Sequence, residues 1–327
     1  MEEYSKLEFI DEPFYTKLRI GTDCSGIEAP IQALRQLGIP FTHIFSSDID
    51  KYCIQSIKAN YDPEIIFGDK DGPFPDGDIT KRNIEDVPDI DLYVCGFPCQ
   101  PFSTAGTRTG FEHKSGNVFW SCLEVIEKKQ PKYFILENVR GLLWHNRKKK
   151  ARRGSTGDTW NIIWKALESL EDYSVCWKVL NTKDYGIPQH RERIFIIGIK
   201  GDKKFSWPRP IKLQKLDKFV DYSDIRDIKY PAYSKGLFDR LPPNSKFLSL
   251  GFPNNSQIQT DTISPCLMSS GKLWCVPCSR YATINEFLAL QGFPLNFSQV
   301  VSKTQLCKQL GNSMSTNVLF HLIKQFI

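Results

Sequence analysis

Short apolar runs alternate with amphipathic stretches through the first two-thirds of the chain, and this rhythm narrows the fold more than any other feature. Residues 18–21, 43–47, 92–95, 133–136, 175–180 and 194–199 read as buried strands. Residues 27–37, 51–60, 118–128 and 159–170 read as helices between them. Strands that are short and apolar throughout are covered on both faces, as parallel strands are. The spacing therefore predicts an α/β fold with a doubly wound, mostly parallel sheet.

The rhythm breaks between Gly201 and Ser279. Pro208, Pro210, Pro231, Pro242, Pro243, Pro253, Pro265 and Pro277 punctuate this stretch, and no clear helix emerges. Helical periodicity returns at 283–291 and again at 315–326. The expected organisation is a main unit over 1–200, a small irregular unit over 201–279, and a return to the main unit over 280–327. A chain of 327 residues suffices for that. Its 41% hydrophobic and 24% charged residues exclude a disordered chain, a fibrous repeat and a disulfide miniprotein.

No apolar run approaches the roughly 20 residues of a membrane span. Glu2, Glu3, Glu8, Asp11 and Glu12 make the start unlike a signal or transit peptide. A soluble, intracellular protein without a membrane partner is expected. Ten cysteines in that setting are expected as thiols. Cys275 and Cys278 form a CxxC with no second pair at zinc-like spacing, so no metal is expected.

The net charge of +6 is mild, but its distribution is uneven. Arg147, Lys148, Lys149, Lys150, Arg152 and Arg153 form one tight run, and residues 200–229 hold nine basic against five acidic side chains. Such runs are solvated faces unless the rest of the chain points to nucleic acid.

In a doubly wound sheet, ligands sit beyond the carboxyl ends of the strands. Asp23-Cys24-Ser25-Gly26-Ile27-Glu28 follows the first predicted strand, without a full GxGxxG. Asp48 follows the second, where a carboxylate binds a ribose diol or caps the next helix. Asp78 lies in a turn, Gly77-Asp78-Ile79-Thr80. After the next strand, Pro98 stiffens a loop that presents the Cys99 thiol at the sheet mouth. Glu137 and Asn138 end the following strand, a place suited to acid–base work. Arg191 and Arg193 are two apart, so in extended chain they face one side.

Phe97-Pro98-Cys99-Gln100-Pro101-Phe102-Ser103, Glu137-Asn138-Val139, Gln189-x-Arg191-x-Arg193 and Gly311-Asn312-Ser313 occur in that order. With Gly110-Phe111-Glu112, Tyr185-Gly186-Ile187-Pro188 and Leu290-Gln291-Gly292-Phe293-Pro294, they resemble the C5-cytosine DNA methyltransferases from Leu18 to Val318. The chain departs from that family's pattern in places. Cys24 takes an aromatic position and Glu28-Ala29 a Gly-Gly. His113-Lys114-Ser115 replaces an acidic-x-Arg segment, Asp48 stands for the more frequent Glu, and Ile49 for a frequent Trp.

The resemblance implies an S-adenosylmethionine-dependent methyltransferase fold, with double-stranded DNA as partner and S-adenosyl-L-methionine as methyl donor. It implies that Cys99 is the nucleophile, Glu137 the proton donor at N3 of the base, Arg193 a ligand of the cytosine O2, and Arg191 a second cation of the site. It places the donor's methionine part near Cys24, Ser25, Gly26, Ile27 and Glu28, and later near Asn312 and Ser313. Asp48 takes the ribose and Asp78 the adenine amino group. Ile49, Ile79 and Val118 cover the ring faces, and Pro98 borders the same pocket. Residues 201–279 become the target-recognition unit, with Lys203, Lys204, Arg209 and Lys212 as phosphate contacts. A related branch that modifies tRNA carries Cys-Phe-Thr in that region, and this chain has none between Gly201 and Ser279. A catalytically silent DNA-binding homologue would not need Cys99, Glu137 and Arg193 together. A monomeric enzyme of a restriction–modification or viral system is expected, cytoplasmic in a bacterium and nuclear in a eukaryote.

Overall fold

The computed structural model describes residues 17–98, 118–147, 154–251 and 262–327. Cys99, the segment 100–117 with Gly110-Phe111-Glu112 and His113-Lys114-Ser115, and residues 148–153 of the basic run lie outside the described residues.

The elements run β1 (Leu18–Asp23), α1 (Ala29–Leu37), β2 (Phe41–Ser47), α2 (Lys51–Asn60), β3 (Ile65–Phe67), β4 (Leu92–Cys95), α3 (Val118–Lys129), β5 (Tyr133–Val139), α4 (Asp158–Glu168), β6 (Tyr173–Asn181) and β7 (Glu192–Lys200). Among the described residues, these strands form one seven-stranded sheet in the order β3-β2-β1-β4-β5-β7-β6. The first five run parallel; β7 is antiparallel to both β5 and β6. The six predicted strands are all present, and β3 is an addition.

The stretch 201–279 is largely irregular, with α5 (Lys235–Phe238) as a single short turn. Its β8 (Phe247–Ser249) and β9 (Leu273–Cys275) form a small antiparallel sheet with β10 (Arg280–Tyr281), which lies just past its end. Then follow α6 (Ile284–Gln291), α7 (Lys303–Asn312) and α8 (Thr316–Ile323). A reciprocal Thr283–Glu286 capping box starts α6, and Gly292 in left-handed geometry ends it.

Apolar burial ties these parts together. One buried cluster joins Ile20, Leu34, Phe195, Phe219, Phe247, Cys275, Phe287 and Leu322, so the small sheet shares its core with the main one. Leu248, Leu250 and Trp274 form a separate satellite on its other side. A second large cluster, including Phe45, Phe119, Phe134 and Trp160, fills the opposite face of the main sheet.

The direction of β7 decides where the stretch 201–279 begins. Its first residues stand at the carboxyl edge of the parallel strands, where Arg193 pairs with Val139, and its last at the amino edge, where Ile199 pairs with Tyr133. Exposed Lys203 and Lys204 therefore sit at the edge away from the strand-end loops. The chain then returns to the carboxyl edge: Ile211 N donates to Asp184 O at 2.9 Å, and Gln214 N to Gly186 O at 3.0 Å. An extended run at ~3.3 Å per residue climbs back along the nine residues of β7. Exposed Arg209 and Lys212 lie on that return. No helix of the described residues is long and apolar enough to cross a membrane.

Candidate functional site

The loop after β1 is shaped by left-handed backbone and by hydrogen bonds to β2. Cys24, Gly26 and Glu28 all have positive φ, at 50°, 56° and 60°. Ser25 N donates to Ser47 O at 3.0 Å, and Ser47 N donates to Ser25 Oγ at 2.8 Å. This brings Gly26 N to within 2.8 Å of Asp48 Oδ2. Asp23 is occupied otherwise. Arg82 holds it bidentately, both bonds at 2.8 Å, and the Tyr93 hydroxyl adds a third at 2.7 Å.

Asp48 ends β2 as the alternation requires. Its second oxygen accepts from Asp50 N at 2.8 Å. The N-cap of α2 is Asp50 rather than Asp48, since the Asp50 side chain accepts from Tyr52 N. Burial pushes the Asp48 carboxyl up, and the N–H groups of Asp50 and Gly26 pull it back. Ile49 beside it is 79% exposed, an apolar side chain left without a packing partner at the mouth of a cavity. Asp78 lies across that cavity, its Oδ1 accepting from Thr80 Oγ1 at 2.7 Å.

The acid and the arginine meet because β5 and β7 run in opposite directions. Val139 pairs with Arg193 and Glu137 with Phe195, so Glu137 and Arg193 are diagonal neighbours on one face. Arg193 Nε stands 3.2 Å from Glu137 Oε1, off line for a hydrogen bond, and that oxygen is buried without a hydrogen-bond partner. Burial pushes the Glu137 carboxyl up from its ordinary value, against the opposing charges of Arg193 and Arg191. Asn138 points to the other face and donates to Phe97 O at 2.8 Å. The middle residue of Glu137-Asn138-Val139 thus anchors the loop that leads through Pro98 to Cys99.

Arg191 has a different task from Arg193. It precedes the first residue of β7, so the two-residue alternation does not carry its side chain to the same side. It is buried, and its guanidinium donates to the carbonyls of Leu267 and Gly311 at 3.2 Å and of Ser313 at 2.6 Å. Gln189 and Gln291 extend this stitching. Gln189 Nε2 donates to Leu290 O at 2.7 Å, and Gln291 Nε2 to Ser313 O at 2.6 Å. Gly311 is needed at its place, because a Cβ there would lie 2.3 Å from the backbone of Met268.

These segments enclose a cavity of about 510 Å³, within the usual range for a small-molecule site. Cys24, Ser25, Gly26, Asp48, Ile49, Asp78, Ile79, Pro98, Val118, Asn312 and Ser313 line it, and so do Glu137 and Arg193. Ile27 and Glu28 do not. Both are fully buried, and the Glu28 carboxylate accepts from Thr22 Oγ1 and Ser46 Oγ, each at 2.6 Å. Their expected cofactor contact is corrected to a supporting role beneath the loop. The alternation reading missed Lys308 and Gln309, which α7 contributes to the wall. Their signal was the polar run before Gly311-Asn312-Ser313.

Acid-lined, mostly apolar and about 510 Å³ in volume, the cavity fits an adenosyl donor. Ile49, Ile79 and Val118 offer ring contacts, and Asp48 offers an acceptor for hydroxyl groups. Cys24, Cys53, Cys95 and Cys275 are pushed up by burial, and Cys176 and Cys307 to about 11, as packing thiols are. Hydrogen bonding from Cys95 opposes the rise at Cys24. Among the described residues, no three His, Cys, Asp or Glu side chains converge on a metal-sized point.

The family described as C-5 cytosine-specific DNA methylase matches residues 23–265 and 274–327. The chain is 36% identical over 290 residues to the Type II methyltransferase M.NgoBI of Neisseria gonorrhoeae, covering 85% of this chain and 84% of that protein. It is 34% identical over 299 residues to the Type II methyltransferase M.SsoII of Shigella sonnei, covering 87% and 73%. The fold is similar to the crystal structure of S. pombe Dnmt2 methyltransferase, with a TM-score of 0.63 and 18% identity over 94% of this chain and 97% of that one.

Proposed function

Because the chain belongs to the C-5 cytosine-specific DNA methylases, we propose that it methylates C5 of one cytosine within a specific duplex DNA sequence, taking the methyl group from S-adenosylmethionine. The observation that carries the site reading is the pairing of a buried Glu137, its carboxyl pushed up by burial, with Arg193 at the strand edge beside the cavity.

The donor, when bound, supplies an electrophilic methyl group. Cytosine C5 is too weak a nucleophile to take it unaided. The Cys99 thiolate adds to C6 of the base, and the displaced electrons of the C5–C6 double bond pass through C4 to N3. Glu137 donates its proton to N3, while Arg193 shares the charge that develops at O2. C5 would then bond to the donor's methyl carbon as the methyl–sulfur bond breaks and its electron pair leaves on sulfur with the demethylated donor. Loss of the C5 proton and expulsion of the thiolate restore the ring. Asn138 holds the Phe97 carbonyl and so the approach of the Cys99 loop. Arg191 positions the segment 311–313. A base stacked in a duplex does not reach such a cleft, so it is swung out at a cost of a few kcal/mol. The segment 201–279 reads the sequence. The Type II names of both relatives support a restriction–modification or viral modification setting, and a cytoplasmic monomer fits it.

The test is bisulfite sequencing of duplex DNA treated with purified protein and donor. Wild type should convert one sequence context to 5-methylcytosine, and Cys99→Ser should abolish this with donor binding retained. Methylation by Cys99→Ser at even about a tenth of the wild-type rate would overturn the nucleophile assignment.

A further inference from the structure

The stretch 68–83, which follows β3, holds neither helix nor strand. Its backbone bonds close local turns, as from Gly72 N to Asp69 O at 3.0 Å and from Lys81 N to Asp78 O at 2.9 Å. Yet Gly77, Asp78 and Ile79 line the cavity, across from the loop after β1. A wall made of irregular chain keeps its place only where something ties it to a rigid element. Phe74 docks its start on Phe67, with ring centroids 4.8 Å apart, but an apolar contact sets no angle. Gly77 packs on the Asp48 backbone so closely that a Cβ would lie 2.0 Å from Asp48 O.

Arg82 anchors the end of the stretch. It reaches back to the last residue of β1, where two guanidinium nitrogens donate to the two oxygens of Asp23, each at 2.8 Å. The Phe45 and Phe67 rings lie against the guanidinium, with centroids 5.5 and 4.5 Å away. The Tyr93 hydroxyl donates to the same carboxylate at 2.7 Å. The two charged side chains are only 5% and 0% exposed. A buried ion pair adds little net stability, because desolvation offsets the attraction. What it fixes is geometry, since a planar fork against a planar carboxylate sets distance and angle together. Here the fork belongs to one wall of the cavity and the carboxylate to the other, where Asp23 leads into Cys24, Ser25 and Gly26.

We propose that Arg82 is a positioning residue for the methyl donor, setting through Asp23 the gap between the loop after β1 and the turn at 77–79. Arg82 itself does not line the cavity. The inference rests on the donor reading above and deepens it.

Calorimetry with S-adenosylmethionine, urea unfolding and steady-state kinetics test this. Arg82→Lys keeps the charge opposite Asp23 but loses the fork. It should weaken donor binding about tenfold and raise the donor KM alike, with kcat at saturating donor near wild type. Arg82→Met strands the Asp23 charge and should lower the urea midpoint. Adding Asp23→Asn removes that charge and leaves an acceptor for Tyr93. The double variant should recover much of the midpoint while donor binding stays about tenfold weaker. A purely structural pair predicts otherwise: wild-type affinity in Arg82→Lys, and affinity that returns with the midpoint in the double variant. Either result overturns the positioning role and leaves the donor reading standing, as does a fall in kcat with KM unchanged. Wild-type protein that does not bind S-adenosylmethionine overturns both.

Discussion

Glu28 occupies a backbone position that glycine would fill without strain. A left-handed φ of 60° costs an L-residue about 1–2 kcal/mol. The buried carboxylate offsets this by accepting from Thr22 and Ser46, bonds of a charged group that contribute about 1.5–3 kcal/mol each. Glu28→Ala keeps the strained backbone and loses both bonds; Glu28→Gly loses the bonds but relieves the strain. Urea unfolding should therefore rank wild type above Gly and Gly above Ala, the last two about 1 kcal/mol apart. At Glu137 the sign of the pH response follows from its environment. Burial raises its folded value, so the proton needed at N3 persists above the ordinary Glu range and is lost as pH rises through the raised value. The rate of methyl transfer should carry a falling alkaline limb that Glu137→Gln removes, together with a loss of about 10²–10⁴ in rate. Stopped-assay kcat against pH for both proteins checks this. Asp48 and Ile49 were legible in the sequence because strand ends place side chains predictably. Glu28 and Arg191 were not, because a left-handed φ and a position just before a strand leave no periodic trace.

Among the elements, strong apolar periodicity was readable and weak periodicity was not. The bounds of α2 agree with the sequence to the residue, whereas β3 is three residues long and α7 is mostly polar. Composition also gave no direction for β7, because a buried strand reads alike either way. That direction matters most, since it aligns Arg193 with Glu137 and starts the stretch 201–279 at the far edge. At the junction of the small sheet with α6, Arg280 meets both oxygens of Glu286, at 2.8 and 3.1 Å, in a buried pair. It also donates to Asp221 O and Asp224 O. Removing one partner strands the other charge, so Arg280→Met should cost about 3–5 kcal/mol in denaturant unfolding. Donor affinity of the folded fraction should stay as in wild type, since neither residue lines the cavity.

At the scale of the whole molecule, the proposed function assigns chemistry and recognition to different stretches of chain. Exchanging 201–279 for the matching segment of a family member with a known target should transfer that target, as read by bisulfite sequencing. An active chimera that keeps its original target sinks the assignment. The shared core at Phe219, Phe247 and Cys275 means the graft must bring its own apolar contacts. The cavity itself has walls drawn from Thr22 and Met314, residues near opposite ends of the described chain. Closing so long a loop is entropically expensive and comes late, after local helices and adjacent strands have formed. A ligand held between those walls is thus absent from the folding transition state. Saturating nucleoside should leave the refolding rate where it is and lengthen the lifetime of the native state, so the bound enzyme gains its persistence through slower unfolding.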